Sequence, residues 1–238
     1  MSRFSRTFVL LVLVLGFGCG GGSEPPAGER STPPANTAPV VPAVPKTTHP
    51  ADAPRIVFLG DSLTAGLGLD AEQSYPSLLQ RRLLEQGYKY QVINAGVSGD
   101  TSAGGLRRLD WSLEGDVRIL VVALGANDGL RGLSPAEMQK NLAAIIDRAS
   151  AKGITVVLAG MEAPPNNGVD YATQFRGVYA ELAKSRKVRF IPFLLDGVAG
   201  IGSLNQADGI HPNVRGAQMV ADIVWRSLEP VLSKPVAR

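Results

Sequence analysis

Apolar runs and helical patterns alternate along the chain from Arg55 to Leu228. Five short runs rich in Val, Ile and Leu occupy residues 55–59, 90–95, 118–124, 154–159 and 188–193, and the first four end at Gly60, Gly96, Gly125 and Gly160. Continuous β-branched runs without alternation predict strands covered on both faces, as in parallel sheets. Between them lie helical patterns. Residues 76–85 carry Leu78, Leu79, Leu83 and Leu84. Ser134-Pro135-Ala136-Glu137 has the form of a capping box with proline at the first helical position. It opens a helix with Met138, Leu142, Ile145 and Ile146 at three- and four-residue spacing, ending near Gly153. Residues 173–184 and 214–228 complete the set, the last carrying Ala217, Val220, Ile223, Val224 and Leu228 on one face. The order βαβαβαβαβα implies an α/β protein. Its expected form is a three-layer α/β/α sandwich around a five-stranded parallel sheet with right-handed crossovers.

The first 52 residues follow a different pattern. Arg3 and Arg6 precede an almost wholly apolar stretch at residues 8–18, too short for the roughly 20 residues that span a bilayer. Residues 1–18 therefore read as a signal peptide. Cys19 follows at once, with Gly20, Gly21, Gly22 and Ser23 behind it. This resembles a bacterial lipoprotein signal, although Gly16 stands where such signals usually have Leu. Lipidation at Cys19 is the expectation, and with it export and membrane contact through a lipid anchor facing the periplasm or cell exterior; otherwise the protein is secreted. Residues 19–52 have no Phe, Trp or Tyr, and the first 52 residues hold eight of the 17 prolines. Such a segment cannot bury enough apolar area to offset its ordering entropy and reads as a tether. Residues 53–238 are left as one folded domain.

Charge and cysteine usage narrow the classes further. The whole chain has 24 basic and 21 acidic residues. Setting aside Arg3, Arg6, Arg30 and Lys46 with Glu24, Glu29 and Asp52 leaves the domain 20 against 18, net +2. That is no electrostatic footprint for nucleic acid. A single cysteine excludes an intrachain disulfide framework and a Cys-based zinc cluster. No glycine loop has P-loop or dinucleotide spacing. Neither a metal nor a cofactor is expected, and a monomer is.

The chemistry gathers in loops after the strands, where open α/β sheets carry their sites. Ser62 directly follows the first strand in Gly60-Asp61-Ser62-Leu63. A serine hydroxyl needs a general base to be nucleophilic at neutral pH, and histidine is the usual one. His49 lies in the tether, so His211 is the domain's one histidine. Asp208, three residues earlier with Gly209 between, can orient the imidazole.

Four blocks carry a resemblance. Gly60-Asp61-Ser62-Leu63, Asn94 to Thr101, Gly125-Ala126-Asn127-Asp128 and Asp208 to Asn213 resemble, in order, the four motifs of the GDSL, or SGNH, hydrolases. The runs Ser98 to Ser102 and Gly129 to Gly132 are similar to the bacterial acyl-CoA thioesterase I, lysophospholipase and arylesterase type. Ala126 departs from that subgroup, which usually has Gly there. The resemblance implies a flavodoxin-like fold and a serine esterase acting on acyl esters or thioesters, small-molecule or lipid. It implies a triad of Ser62, His211 and Asp208, with oxyanion donors from the Ser62 N–H, the Gly99 N–H and the Asn127 side chain. Asp61 and Asp128 are expected to shape loops, and Asn94 to brace the site. The loop after the fourth strand should overhang it, with Met161, Pro164, Tyr171 and Phe175 as substrate contacts and Leu130 and Leu133 as further lining. Three other readings stand beside this one. They are a carbohydrate O-acetyl esterase, a non-catalytic binding lipoprotein and a flavodoxin-like cofactor binder.

Overall fold

The computed structural model describes residues 53–233; residues 1–52, on which the signal-peptide, tether and Cys19 expectations fall, and the last five residues lie outside the described residues. Five strands form one all-parallel sheet: β1 (Arg55–Gly60), β2 (Gln91–Gly96), β3 (Val117–Ala123), β4 (Thr155–Ala159) and β5 (Arg189–Ile191), in spatial order β2-β1-β3-β4-β5. The central strands β1, β3 and β4 are buried almost throughout, while the edge strand β2 is only half covered. The continuous apolar runs thus mark the middle of the sheet better than its edge.

The helices are α1 (Ser62–Ala65), α2 (Tyr75–Glu85), α3 (Ser102–Arg107), α4 (Leu109–Ser112), α5 (Ala126–Leu130), α6 (Pro135–Ala151), α7 (Val169–Arg186) and α8 (Val214–Leu228). Helices α2 and α8 pack together as one layer, and α6 packs with α3 and α7 as the other. The fold is the α/β/α sandwich expected from the alternation of elements. Two local differences have clear causes. The last strand stops at Ile191 rather than running to residue 193, because Pro192 has no N–H for the ladder. There the chain turns inward, with Leu194 N–H donating to the Gly160 carbonyl at 2.9 Å. The link between β2 and β3 is two short helices, α3 and α4; Gly104 and Gly105 within α3 weaken any longer helical pattern there.

Strand order places the site. The chain leaves β1 toward β2 on one side, then crosses back to β3 on the other. The crevice between the carboxyl ends of β1 and β3 is the topological switch point where such sheets bind ligands. Gly60 and Ala123 are register partners at that point, so the residues just beyond them face each other across it.

Candidate active site

The β1 side of the crevice is built around α1. Asp61 caps this single turn, its Oδ1 accepting from the Leu63 N–H at 3.0 Å. Thr64 fixes the turn from below, its hydroxyl bonded to the buried Tyr75 hydroxyl at 2.7 Å. Asn94 braces it from β2, donating to the Thr64 carbonyl at 2.9 Å. Close approach to β2 needs Gly96, where a Cβ would lie 2.2 Å from the Ala65 nitrogen. Ser62 is thereby held, half-buried, at the start of the turn.

On the β3 side, Asn127 and Asp128 open α5. Asp128 is buried and takes the Ser102 N–H at 2.8 Å and the Ser102 hydroxyl at 2.6 Å. Asn141 donates to that hydroxyl from α6 at 3.1 Å. These bonds lock α5 to α3, which agrees with a loop-shaping role for Asp128. Asn127 Nδ2 donates to the Asp100 carbonyl at 3.0 Å and to Asp61 Oδ2 at 3.4 Å. Asp100 is itself tied to Arg108 at 2.6 Å, and Arg108 also donates to the Gly60 carbonyl at 2.8 Å. Gly99 sits in a tight turn at φ 82°, a conformation natural to glycine, and Arg131 holds its carbonyl at 2.8 Å. Among the described residues, neither the Ser62 nor the Gly99 N–H donates to a protein acceptor.

The third wall is the loop before α8. His211 Nε2 lies 2.9 Å from Ser62 Oγ, and its Nδ1 lies 2.7 Å from Asp208 Oδ2. Asp208 Oδ1 accepts from the N–H groups of Ile210 and His211 at 2.9 and 3.0 Å. Those backbone bonds and the imidazole hold the exposed Asp208 carboxyl at about 2, so it is ionised at neutral pH. An ionised carboxylate on Nδ1 favours the tautomer with its proton there, leaving Nε2 free to accept from Ser62. Gln206 ties this loop to the Ser62 loop: its side-chain amide donates to the Leu67 and Pro212 carbonyls at 2.7 and 3.0 Å. Asn213 caps α8 through the Arg215 and Gly216 N–H groups, fixing the loop's far end.

A cleft of about 320 Å³ opens beside Ser62, its walls mostly hydrocarbon, from Leu130, Met161, Pro164, Phe193, Leu195 and Ile210 among others. Asn127, Asp61 and His211 line it too. Met161 and Pro164 are where the loop pattern puts them. Tyr171 and Phe175 are elsewhere, which corrects the expectation of substrate contact. Phe175 is fully buried, stacked on Tyr171 and edge-on to Tyr179. The Tyr171 hydroxyl donates to the Leu133 carbonyl at 2.7 Å, so both rings support the wall from behind. Leu133 is not among the cleft residues either. The spacing Phe175, Val178, Tyr179, Leu182 is a helical core stripe that points away from a loop reading. Gln206, Phe193 and Leu195 were not apparent from sequence; an amide or an apolar residue in an irregular loop has no periodic signal.

A carboxylate–imidazole pair beside a serine, at an apolar cleft on the switch point of a parallel sheet, forms the candidate hydrolytic site. The sequence model of the GDSL-like lipase/acylhydrolase family matches residues 58–219, and the chain belongs to that family. It is similar to esterase TesA of Pseudomonas aeruginosa, 46% identical over 186 residues covering 78% of this chain and 92% of the relative. It is also similar to thioesterase 1/protease 1/lysophospholipase L1 of Escherichia coli K12, 36% identical over 188 residues, 79% of this chain and 89% of the relative. The crystal structure of AlinE4, an SGNH-hydrolase family esterase, superposes with a TM-score of 0.63 at 40% identity, covering 76% of this chain and 97% of the other. The protein is an ester-bond hydrolase with the SGNH-hydrolase fold.

Proposed function

We propose that the chain is a monomeric serine esterase acting on apolar acyl esters or thioesters through an acyl-enzyme on Ser62. The observation that carries this reading is the hydrogen-bonded series Asp208, His211, Ser62 at 2.7 and 2.9 Å, at the mouth of an apolar cleft. Ser62 Oγ attacks the carbonyl carbon while His211 Nε2 takes its proton. Negative charge on the carbonyl oxygen is met by the Ser62 N–H, the Gly99 N–H and the Asn127 amide, the largest single source of rate. His211 then gives the proton to the departing alcohol or thiol. Water, deprotonated by His211, releases the acid and restores Ser62. Asp208 keeps the imidazole oriented and stabilises its cation. The hydrocarbon walls favour a chain of several carbons over acetyl. The name thioesterase 1/protease 1/lysophospholipase L1 of the E. coli relative supports both ester and thioester substrates.

The testing assay runs p-nitrophenyl esters from acetate to palmitate with the full chain and Ser62→Ala. The reading expects a chain-length optimum above acetate and loss of roughly 10⁴-fold or more in kcat for Ser62→Ala. Equal hydrolysis by both forms removes Ser62 from the reaction. An optimum at acetate turns the reading toward an O-acetyl esterase. Export and acylation at Cys19 rest on residues 1–19 of the sequence alone. Intact mass of membrane-extracted protein tests them: a diacylglyceryl mass on a chain beginning at Cys19 supports anchoring, and an unmodified N-terminus rejects it.

A further inference from the structure

We propose that Asp61 is a positioning residue for the oxyanion site: its Oδ2 holds the second amide hydrogen of Asn127 in the free enzyme and yields it to the oxyanion as the tetrahedral intermediate forms. The inference rests on the Ser62 reading above, and three features of the structure lead to it.

An amide nitrogen has two hydrogens, and both of Asn127's are engaged. One goes to the Asp100 carbonyl at 3.0 Å, an ordinary length; the other goes to Asp61 Oδ2 at 3.4 Å, a long one. The bond to the backbone carbonyl fixes the nitrogen in place. The weaker bond is the one a stronger, charged acceptor can replace at small cost. Without Asp61 the Asn127 side chain would have a single tether and a free rotation about it. With Asp61 its second hydrogen is held toward β1, beside the cleft that Asp61, Ser62 and Asn127 line together.

Asp61 itself cannot wander. It is 1% exposed, and its other oxygen is pinned by the Leu63 N–H. It adjoins Ser62 in the chain, so the distance between acceptor and nucleophile is set by one peptide unit. Asp128 is engaged elsewhere: both of its oxygens accept from Ser102.

The charge also fits. A fixed negative carboxylate beside an oxyanion would oppose it. Burial pushes the Asp61 carboxyl up to about 6, against the pull of the Leu63 N–H, His211 and the Asn127 amide. At about 6 the carboxyl is still mostly ionised at neutral pH and accepts from Asn127, yet it takes up a proton far more readily than an ordinary carboxylate when an anion develops beside it. The groups facing it are His211 from the loop before α8, Tyr75 from α2 and Tyr179 from α7. Burial keeps both tyrosines neutral, so neither adds a charge beside Asp61.

The test is a double-mutant cycle in the full chain on the best p-nitrophenyl ester, reading kcat and KM separately. Asp61→Asn keeps the helix cap but turns the acceptor facing Asn127 into a donor. Asp61→Ser keeps the cap with an oxygen too short to reach Asn127, and serves if the first variant folds poorly. Asn127→Ala is expected to lower kcat about 100-fold. Either Asp61 variant is expected to lower kcat roughly tenfold with KM unchanged, and the double variants to match Asn127→Ala alone. Additive losses, or no loss in the Asp61 variants, overturn the positioning role while leaving Asn127 as donor. No loss in Asn127→Ala overturns both.

Discussion

The two halves of the site are held by different means. The sheet half, with Ser62, Asp61, Asn127 and Asp128, grows from β1 and β3 and is locked by buried polar bonds; Asp61 and Asp128 are 1% and 3% exposed. The loop half, with Asp208 and His211, stands in exposed backbone between Leu204 and Asn213, and the Asp208 side chain is 45% exposed. That loop is kept in shape by short local bonds and by Gln206. A nucleophile and its oxyanion donors must not move relative to each other, and a packed core supplies that rigidity. A base must exchange protons with water and a leaving group, and an exposed loop allows it. The difference predicts that removing the buried polar bonds that lock the first half lowers the domain's stability, whereas damage to the second silences it at nearly unchanged stability.

The largest test of that contrast is Asp208→Asn. We expect kcat to fall by roughly 10³- to 10⁴-fold through loss of the oriented tautomer. The thermal midpoint should stay within a few degrees, because the group removed is exposed; calorimetry beside steady-state kinetics reads both. A large fall in the midpoint would show the loop half to be structural after all.

Asp128→Ala comes next and should act in the opposite way. It leaves the Ser102 N–H and hydroxyl buried without their acceptor, at a cost of about 2–4 kcal/mol. Urea denaturation measures it as a lower midpoint with an unchanged slope. A change of less than about 0.5 kcal/mol would mean that α3 and α5 are not locked through this residue.

The smallest effect is in pH. Asp61 is raised to about 6, so the folded state holds a proton that the unfolded state gives up above about 4. Stability from this group is full below about pH 4 and is lost as pH rises through about 6. Asp208 is lowered to about 2 and works the other way: its contribution is full above about pH 4 and is lost as pH falls toward 2. Thermal midpoints across pH 3 to 8 should therefore decline from about 4 to 7 in the native chain, and Asp61→Asn should flatten that decline. An unchanged slope in the variant would place its origin elsewhere.

The two halves also differed in how readable they were. The sheet half is written locally: Val, Ile and Leu runs ending in glycine mark the strands, and Ser62 and Asn127 follow the strand tips directly. His211 and Asp208 were readable because one histidine serves the whole domain and a carboxylate stands three residues before it. The partnership of Asp61 with Asn127 was not readable, since those residues are 66 apart and meet only when β1 pairs with β3. Loop proximity alone puts Tyr171 and Phe175 at the cleft. The helix begins at Val169, before either of them, and its apolar stripe turns Phe175 into the core. Gln206 had no pattern at all, because its role depends on reaching the Leu67 carbonyl 139 residues away.

The central claim is that Ser62 carries the acyl group. The most direct measurement is reaction of the full chain with a fluorophosphonate ester, followed by intact mass and peptide mapping. One adduct is expected, on Ser62, formed in step with loss of esterase activity and absent from Ser62→Ala. Full inactivation with the adduct on another residue, or esterase activity that survives complete labelling of Ser62, would contradict it.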